Sequence, residues 1–413
     1  MHNQKKNITF ASSTVNCKIV MSTRFSDTQT AFALKSQSEL NWAYRLFKLI
    51  GSNTLTRVGT ALTNFSLKLR LPVEGLIKRT VFKQFCGGIS EQDCLPVIKK
   101  MHQKGVGSVL DYSVEGKDEE SSIEATFEKT METIDFGNLH RDEGIPIVVF
   151  KPTGFGRFAI FQKITENKPL TDEEAKEWER IKARFDAACK RAYEYKIPIL
   201  VDAEESWMQT AADDLVEEMM EKYNKEEPIV YNTLQMYRHD RLPYLKGLYE
   251  RAVNKGFYIG VKIVRGAYME KENERAAEQG YPTPICPNKQ ATDDNYNAVV
   301  RYIIEHIDRI ALFAGTHNEE SAALVMDLMK EKGLQPNDKR IWIAQLYGMS
   351  DHISFNASKE GYNVAKYLPF GPVREVMPYL IRRAEENTSV AGQTGRELSL
   401  LRAEKKRRSQ EKK

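Results

Sequence analysis

The stretch IPILVDAEE, residues 197–205, gives the clearest indication of how this chain folds. Its first five residues are apolar, and Asp202, Glu204 and Glu205 follow almost at once. A short apolar run of this kind is typical of a parallel β-strand that is covered on both faces. The stretch therefore predicts a buried strand with acidic side chains at its carboxyl end.

A helix is predicted directly before this strand. Thr171 and Glu174 have the spacing of a capping box, in which each side chain accepts a hydrogen bond from the other residue's backbone N–H group. The apolar positions that follow recur at steps of three and four residues and are Trp178, Ile181, Phe185, Ala188 and Ala192. Such a stripe allows one face of the helix to pack against a sheet. Helix and strand together form one unit of a β/α repeat.

The same unit recurs along the chain from about residue 107. Eight apolar runs end on polar residues, and each is followed by a helical stretch. They are SVLDY (108–112), IPIVVFK (145–151), IPILVDAEE (197–205), IVYNTLQMY (229–237), YIGVKIVRGAY (258–268), IALFAGTHN (310–318), IWIAQLYG (341–348) and YNVAKYLPFG (362–371). Because eight such units close naturally into a barrel, the sequence predicts an α/β fold of the TIM-like (β/α)8 class.

The chain divides into four predicted regions. Residues 105–390 form the barrel, and residues 27–104 form a helical arm or cover in front of it. Residues 1–26 contain no acidic side chain and are predicted to be a disordered tail, although a transit peptide has the same composition. Residues 391–413 are rich in Lys and Arg and are predicted to be a solvated basic tail.

Composition narrows the classes of function. The chain has 413 residues, of which 41% are hydrophobic and 29% charged, as in an ordinary globular protein. No apolar run is long enough to span a bilayer, and a net charge of +4 is too small to indicate a nucleic-acid partner. The five cysteines are scattered and show no CxxC spacing, which favours reduced thiols. We therefore expect a cytoplasmic protein, with a mitochondrial location as the alternative.

Polar side chains gather at the predicted carboxyl ends of the strands. They are Lys151, Asp202, Glu204, Gln235, Lys262, Arg265, His317, Gln345 and Tyr367. In a (β/α)8 barrel this rim is the place where catalytic residues converge. The pattern therefore predicts an active site at the carboxyl-terminal mouth of the barrel.

The rim residues by themselves leave three classes of function open. A lysine such as Lys151 or Lys262 suits a Schiff-base aldolase. The acidic side chains after residue 201, together with His317, suit a metal-dependent hydrolase. A noncatalytic binding barrel is the third class.

A second polar feature lies near the C-terminus. In the segment YLIRRAEEN the residues Tyr379, Arg382, Arg383 and Glu386 stand at i, i+3, i+4 and i+7, so a helix places them on one face. Two adjacent guanidinium groups indicate an anionic ligand such as a small carboxylic acid. The alternative is a solvated helix face in which Arg382 pairs with Glu386.

Six motifs, in this order along the chain, resemble the proline dehydrogenase family. They are DAEESWMQ (202–209), LQMYR (234–238), KIVRGAYMEKE (262–272), THN (316–318), AQLYGMSD (344–351) and YLIRRAEEN (379–387). The resemblance implies a distorted (β/α)8 barrel with FAD bound noncovalently across its mouth, and no metal. It also implies oxidation of L-proline to 1-pyrroline-5-carboxylate by hydride transfer from C5 to the flavin N5, as the first step of proline breakdown. The electrons then pass to a membrane quinone. The basic C-terminal stretch suits peripheral contact with anionic lipid at the inner membrane. Hydroxyproline dehydrogenase is the alternative within the same fold.

The resemblance also implies roles for single residues. In the substrate pocket, Arg382 and Arg383 grip the carboxylate of proline, and Glu115 pairs with the arginines. The full substrate set is Glu115, Lys151, Asp202, Tyr268, Leu346, Tyr367, Tyr379, Arg382 and Arg383. The cofactor set is Gln235, Lys262, Arg265, Gly266, Thr292, Asp293, Thr316, His317, Gln345 and Glu386. Many bacterial members carry Arg and then Lys at the positions of Lys262 and Arg265, so the tuning of the flavin potential differs here.

Overall fold

The computed structural model describes residues 24–51, 74–114, 118–389 and 393–411, and eight parallel strands form its centre. The strands are β1 Val106–Tyr112, β2 Ile147–Phe150, β3 Ile199–Val201, β4 Val230–Gln235, β5 Ile259–Val264, β6 Ile310–Gly315, β7 Ile341–Leu346 and β8 Val364–Phe370. They pair in chain order, and β8 pairs with β1 to close the barrel. The eight predicted runs thus coincide with the eight strands, and the predicted (β/α)8 barrel is confirmed.

The helices alternate with the strands from β1 onward. The α-helices of the described residues are α1 Thr28–Ala31, α2 Gln37–Ile50, α3 Glu74–Ile77, α4 Lys83–Phe85, α5 Glu91–His102, α6 Glu120–Leu139, α7 Phe158–Thr165, α8 Asp172–Tyr195, α9 Ser206–Tyr223, α10 Arg241–Lys255, α11 Met269–Gln279, α12 Lys289–Glu305, α13 Glu319–Glu331, α14 Asp351–Lys359, α15 Met377–Ser389 and α16 Gln393–Glu411. A π-helical turn, Lys78–Phe82, joins α3 to α4. None of these helices combines the length and apolar content that a bilayer span requires.

Local sequence signals explain the helix before β3. The backbone N–H of Thr171 donates to Glu174 at 2.9 Å, and the backbone N–H of Glu174 donates to the Thr171 hydroxyl at 3.3 Å. The predicted capping box therefore starts α8. Ile181, Phe185 and Ala188 are fully buried along the stripe that the sequence predicts.

Side chains from alternate strand positions fill the inside of the barrel. They are Val109, Ile147, Val149, Leu200, Tyr231, Ala311, Phe313, Ala344, Ala365 and Tyr367. Gly260 of β5 faces the ring of Tyr231, and a Cβ atom at residue 260 would lie 2.4 Å from that ring. A glycine is needed there because the tyrosine already fills the space. The interior is therefore a packed core, and the carboxyl-terminal mouth is where ligands can bind.

The last turn of the barrel departs from the regular pattern. α5, which precedes β1 in the chain, packs against β1. α15 instead packs on α2 and α16. These helices share a second hydrophobic core in which Phe47, Leu380 and Leu401 are buried. The barrel is distorted in this sense, and the arginine-bearing helix is supported by the arm.

The basic C-terminal segment is a packed helix, which corrects the prediction of a solvated tail. α16 buries Leu400 and Leu401 against α2 and also buries Glu404 completely. Arg407 and Arg408 pair with Glu404 at 2.7 and 2.6 Å. Arg407 and Arg408 are therefore paired within the helix, and Leu400 and Leu401 pack it against the arm.

The predicted N-terminal tail is shorter than the sequence suggests. Phe25 is fully buried in the main core, and Arg24 pairs with Asp327 of α13 at 2.8 Å. Folded structure therefore begins by residue 24. Residues 1–23 lie outside the described part of the chain.

Candidate active site

Five side chains from different strands form a charged cluster at the barrel mouth, which we call the lysine–aspartate cluster. Lys151, just after β2, lies 2.5 Å from Asp111 of β1 and 3.4 Å from Asp202, just after β3. Lys262 of β5 donates to Asp202 and, at 3.1 Å, to the hydroxyl of Tyr367. The same hydroxyl donates to Asp202 at 2.6 Å. Three strands and the loops after two others therefore converge on one connected network.

The charges of this cluster compensate one another. Burial by itself would raise the pKa of Asp202, but Lys262 and Lys151 lower it below its usual range. Burial would likewise lower the pKa of Lys151, but Asp111 and Asp202 raise it above its ordinary value. Burial and then Asp202 raise the pKa of the Tyr367 phenol well above its ordinary value. At neutral pH Lys151 is therefore an ammonium, Asp202 a carboxylate and Tyr367 a neutral phenol.

Glu204 lies beside this cluster but is bound differently. Its carboxylate accepts hydrogen bonds from the backbone N–H of Thr153 at 3.0 Å and from the Thr153 hydroxyl at 2.7 Å. Both donors are neutral, so burial prevails and raises the pKa of Glu204 to about 7. Glu204 therefore changes charge near neutral pH.

A second group of residues lies at the ends of β5 and β6, and we call it the arginine–histidine side. Arg265, just after β5, donates to Asp293 of α12 at 2.6 Å, to the Thr316 hydroxyl at 2.8 Å and to the Ser321 hydroxyl at 3.0 Å. Its guanidinium stacks 4.6 Å from the ring centre of Tyr296. Arg265 is therefore held in one orientation by three acceptors and one ring.

His317 completes this side. Its Nδ1 lies 2.9 Å from the hydroxyl of Ser350, and its Nε2 accepts from the backbone N–H of Leu346 at 3.5 Å. Burial and then the charges of Lys366 and Arg383 lower the pKa of His317 well below its ordinary value. The imidazole is therefore neutral, in a region of positive potential.

Three further predicted cofactor residues are held by close packing or by hydrogen bonds. Gly266 has φ +124°, and a Cβ atom there would lie 1.3 Å from the ring of Tyr237, so no larger residue fits. Gln235 accepts from the Tyr237 hydroxyl at 2.8 Å and donates to the Ala203 carbonyl at 3.3 Å. Gln345 donates to the Thr316 carbonyl at 3.1 Å. Gly266 and the two glutamines are therefore in direct contact with neighbouring residues of the mouth.

The arginine helix α15 places its polar face toward the mouth. Tyr379 is buried, and the guanidinium of Arg383 lies 5.4 Å from its ring centre. Burial and nearby carboxylates raise the pKa of Tyr268 well above its ordinary value, whereas the charge of Arg382 opposes that rise. The charge of Arg383 likewise lowers the pKa of His317. Both arginines are thus half-buried beside the rim residues, and the side chain of Glu386, on which the alternative pair with Arg382 depends, lies outside the described part of the chain.

Of the remaining predicted residues, the structure describes some fully and others in part or not at all. Thr292 is buried in α12 next to Asp293. Leu346 is partly buried and packs against both the barrel interior and the second hydrophobic core. Glu115 lies outside the described residues. The backbone of Glu386 belongs to α15, but its side chain is also outside the described part. The roles of these four residues, like those of the other predicted site residues, stay predictions.

One residue of the lysine–aspartate cluster was missed by sequence reasoning. Asp111 of β1 is 4% exposed, pairs with Lys151 and accepts from the Ser113 hydroxyl at 2.5 Å. It lies two residues after the interior residue Val109, so the alternation of strand side chains turns it inward. The rule that selected the other strand-end polar residues applies to Asp111 as well.

Two observations concern the residues that the rival chemistries would use. Lys151 is held as an ammonium by two carboxylates, whereas a Schiff-base lysine must lose its proton to attack a carbonyl. Across the described residues, no group of three or more His, Cys, Asp or Glu side chains is arranged to hold a metal ion. Asp202 in particular binds two lysines instead.

Sequence comparison gives a consistent assignment. The family described as "Proline dehydrogenase" matches residues 94–396. The carbapenem antibiotics biosynthesis protein CarD of Pectobacterium carotovorum subsp. carotovorum is 36% identical over 365 residues, which cover 88% of this chain and 94% of that protein. Proline dehydrogenase 1, mitochondrial, of Dictyostelium discoideum is 32% identical over 430 residues, covering 92% of this chain and 74% of that protein.

Comparison with solved structures supports the fold. The structure of proline utilization A from Bdellovibrio bacteriovorus, inactivated by N-propargylglycine, superposes with a TM-score of 0.69 at 20% sequence identity. The match covers 91% of this chain, which spans 42% of the length of that protein. Together with the family match over most of the barrel, these relatives show that the chain belongs to the proline dehydrogenase family, whose oxidoreductases carry out the first step of proline breakdown.

Proposed function

We propose that this chain oxidises L-proline to 1-pyrroline-5-carboxylate with bound FAD and passes the electrons to a quinone. Family membership and the geometry of the mouth support the proposal. FAD, when bound, supplies at its N5 atom an acceptor for the hydride of proline C5. The protein's part is to bind both molecules, to align them and to keep water out.

The observation that carries the proposal is the position of Arg382 and Arg383. Both are half-buried at the mouth, and their charges reach Tyr268 and His317. A carboxylate bound by both would gain charge-assisted hydrogen bonds of about 1.5–3 kcal/mol each. We therefore assign the two arginines to the carboxylate of proline.

The residues on the arginine–histidine side fit FAD. Lys366, Arg383 and Arg265 create positive potential around the neutral His317, which suits the diphosphate of the cofactor. Gly266 lets the backbone pass against the ring of Tyr237, where no side chain would fit. Arg265, Thr316, His317 and Asp293 would hold the cofactor, together with Lys262, Gln235 and Gln345, and with Thr292 and Glu386 as further candidates.

The lysine–aspartate cluster would orient the proline ring. Tyr367 and Leu346 face the barrel interior, and Lys151 and Asp202 are fixed in opposite charge states beside them. Tyr268 and Tyr379 would line the pocket from the rim, and Glu115 would pair with the arginines. Because aligned reactants save about 7–11 kcal/mol of activation free energy, positioning by these residues would supply much of the rate.

No residue of the cluster is suited to act as a strong base. Lys151 keeps its proton, and the pKa of Asp202 is lowered by its two lysine partners. Hydride can leave C5 only when the ring nitrogen has a free lone pair, so we infer that proline binds with a neutral amine. The limiting rate of flavin reduction should then be independent of pH from about 6 to about 9, while the apparent affinity for proline rises with pH.

We propose a cytoplasmic location with peripheral contact at the inner membrane, where the quinone resides. Arg402 and Lys405 of α16 lie near Tyr44 of α2, and this basic surface suits anionic lipid. The relative from Dictyostelium is named as mitochondrial, so the mitochondrion is the alternative. Flotation with anionic vesicles, compared with neutral vesicles, would test the contact.

A direct experiment tests the proposed reaction. The purified protein should be yellow, and L-proline should bleach the flavin absorbance under anaerobic conditions. D-proline serves as the control, because its carboxylate cannot meet the arginines while C5 is aligned. A colourless protein that does not take up FAD, or a flavin that L-proline leaves oxidised, would refute the proposal.

A further inference from the structure

The segment 349–352, at the junction of β7 and α14, is bound by charged side chains from several parts of the chain. Lys366 of β8 donates to the Met349 carbonyl at 2.5 Å and pairs with Asp351 at 2.9 Å. Lys35, between α1 and α2, pairs with the other oxygen of Asp351 at 3.2 Å. Lys366 and Asp351 are both buried. The arm is therefore tied to the barrel at this segment.

Ser350 connects this segment to the candidate active site. Its hydroxyl lies 2.9 Å from Nδ1 of His317, and its backbone N–H donates to the carboxylate of Glu397 on α16. Ser350 has φ 51°, in the left-handed region that serine rarely adopts. A backbone in that region persists only where its surroundings hold it, and Glu397 is one of the groups that do so.

α16 makes a second contact with the same region. Arg396, the neighbour of Glu397, donates to Glu319 at 2.6 Å, and Glu319 lies 3.0 Å from Nε2 of His352. Glu397 itself is 3% exposed, and its carboxylate lies 4.0 Å from the other nitrogen of His352. Two adjacent residues of α16 thus contact the loops that follow β6 and β7.

We infer that Glu397 is a positioning residue: from α16 it holds Ser350, and through Ser350 it holds the imidazole of His317 at the barrel mouth. The inference rests on the proposed function, because it assigns this link to the flavin side of that site. It makes the C-terminal helix a support of the active site, although none of its described side chains reaches the barrel interior.

The chain offers a matched control on the same helix. Glu404 is also fully buried, but it binds Arg407, Arg408 and the hydroxyl of Thr28, away from segment 349–352. Glu404→Ala and Glu397→Ala should therefore both lower the melting temperature. Only the second should change the surroundings of His317. Glu397→Gln keeps an oxygen that can accept from the Ser350 N–H and serves as the conservative variant.

Two measurements on the full-length protein test the link. The first is the rate at which diethyl pyrocarbonate modifies His317, read by mass spectrometry relative to the exposed His102. The second is the dissociation constant of FAD. We expect Glu397→Ala to speed the modification at least fivefold and to weaken FAD binding about tenfold, with Glu397→Gln within about threefold of the wild type and Glu404→Ala within about twofold.

The outcomes separate this inference from the proposed function. Equal modification rates in Glu397→Ala, Glu404→Ala and the wild type would overturn the inference, as would equal increases in both alanine variants. If the wild type binds no flavin, the proposed function fails, but the modification rates still decide whether Glu397 holds His317. Faster modification in Glu397→Ala alone supports the link.

Discussion

The charged side chains have different kinds of partners on the two sides of the barrel mouth. In the lysine–aspartate cluster, two lysines and two aspartates lie in contact and cancel. On the arginine–histidine side, Arg265 binds one carboxylate and two hydroxyls, and further cations surround a neutral imidazole. The first side pairs its charges within the cluster, whereas the second gathers Lys366, Arg383 and Arg265 around a neutral imidazole.

This difference suggests which ligand each side suits. A balanced surface suits the uncharged ring of proline, because it offers hydrogen-bond partners and little net field. Positive potential favours an anion such as a dinucleotide phosphate. Removing a member of the balanced side should cost stability and activity together, whereas changes at the arginine helix should act on substrate binding alone.

The largest effect is expected from Asp202→Asn. The change leaves Lys151 and Lys262 without their shared carboxylate, and an uncompensated buried charge costs about 3–5 kcal/mol of unfolding free energy. Misplacement of the ring-binding groups should lower kcat/KM about a hundredfold or more. Urea unfolding and steady-state kinetics measure the two effects.

A surface pair provides the control for this prediction. Asp135 pairs with Arg191 and is 46% exposed, so Asp135→Asn should cost only about 0–1 kcal/mol. The pKa of Asp202 is lowered in the folded state, so its contribution is present above about pH 4 and is lost as the pH falls through the folded pKa. Equal losses in both variants at neutral pH would contradict the charge-balance account.

Arg382→Met should produce the next largest effect, and it isolates substrate binding. Loss of one carboxylate contact of about 1.5–3 kcal/mol predicts a fall in kcat/KM of about 10- to 100-fold, seen mainly as a higher KM. FAD content should not change. Arg374→Met, just before α15, removes a cation that pairs with Glu74 and should leave the kinetics unchanged. Wild-type kinetics for Arg382→Met would remove this residue from the site.

Glu204 shows what a carboxylate does at the mouth without a cationic partner in contact. Its pKa is raised to about 7, so the stability that its protonated form adds is present below about pH 4.5 and is lost as the pH rises through about 7. Glu204→Gln should remove this dependence. Relative to the wild type, the variant should therefore gain about 2 kcal/mol of unfolding free energy between pH 5 and pH 8. If the melting temperatures of the two proteins change with pH in the same way across that range, Glu204 is not buried as described.

Much of the barrel follows from the sequence, because its signals are local. The apolar run before Asp202 and the capping box at Thr171 each depend on neighbouring residues. The expectation that polar residues at the carboxyl ends of strands meet at the mouth also selects Lys151, Lys262 and Tyr367. The structure brings these residues together, although 216 residues separate the first from the last. In a closed parallel barrel, a residue at the carboxyl end of any strand lies at the mouth.

The support around the mouth could not be predicted in the same way. Burial of Glu404 depends on Thr28, a residue at the other end of the chain, and Lys35 reaches Asp351 over a similar distance in sequence. α16 has few apolar residues, so its periodicity resembles that of a solvated tail. Helices held by long-range ion pairs carry no local signal, whereas strand ends in a closed barrel do.

The smallest effect is expected from Tyr367→Ser, which tests shape on the balanced side. The hydroxyl of Tyr367 binds Lys262 and Asp202, and the ring is 8% exposed. Its removal opens space for a ring hydroxyl, so kcat/KM for hydroxyproline relative to proline should rise about 5- to 10-fold. The contact between Lys262 and Asp202 does not need the tyrosine, so charge balance should survive.

Tyr367→Phe separates shape from hydrogen bonding in this last prediction. It keeps the ring and removes the hydroxyl, so both substrates should lose activity by similar factors and their ratio should stay at the wild-type value. If Tyr367→Phe shifts the ratio as much as Tyr367→Ser does, selection acts through the hydrogen bonds to Lys262 and Asp202, and the steric account is wrong. Selectivity for proline would then depend on the same balanced charges that hold the cluster together.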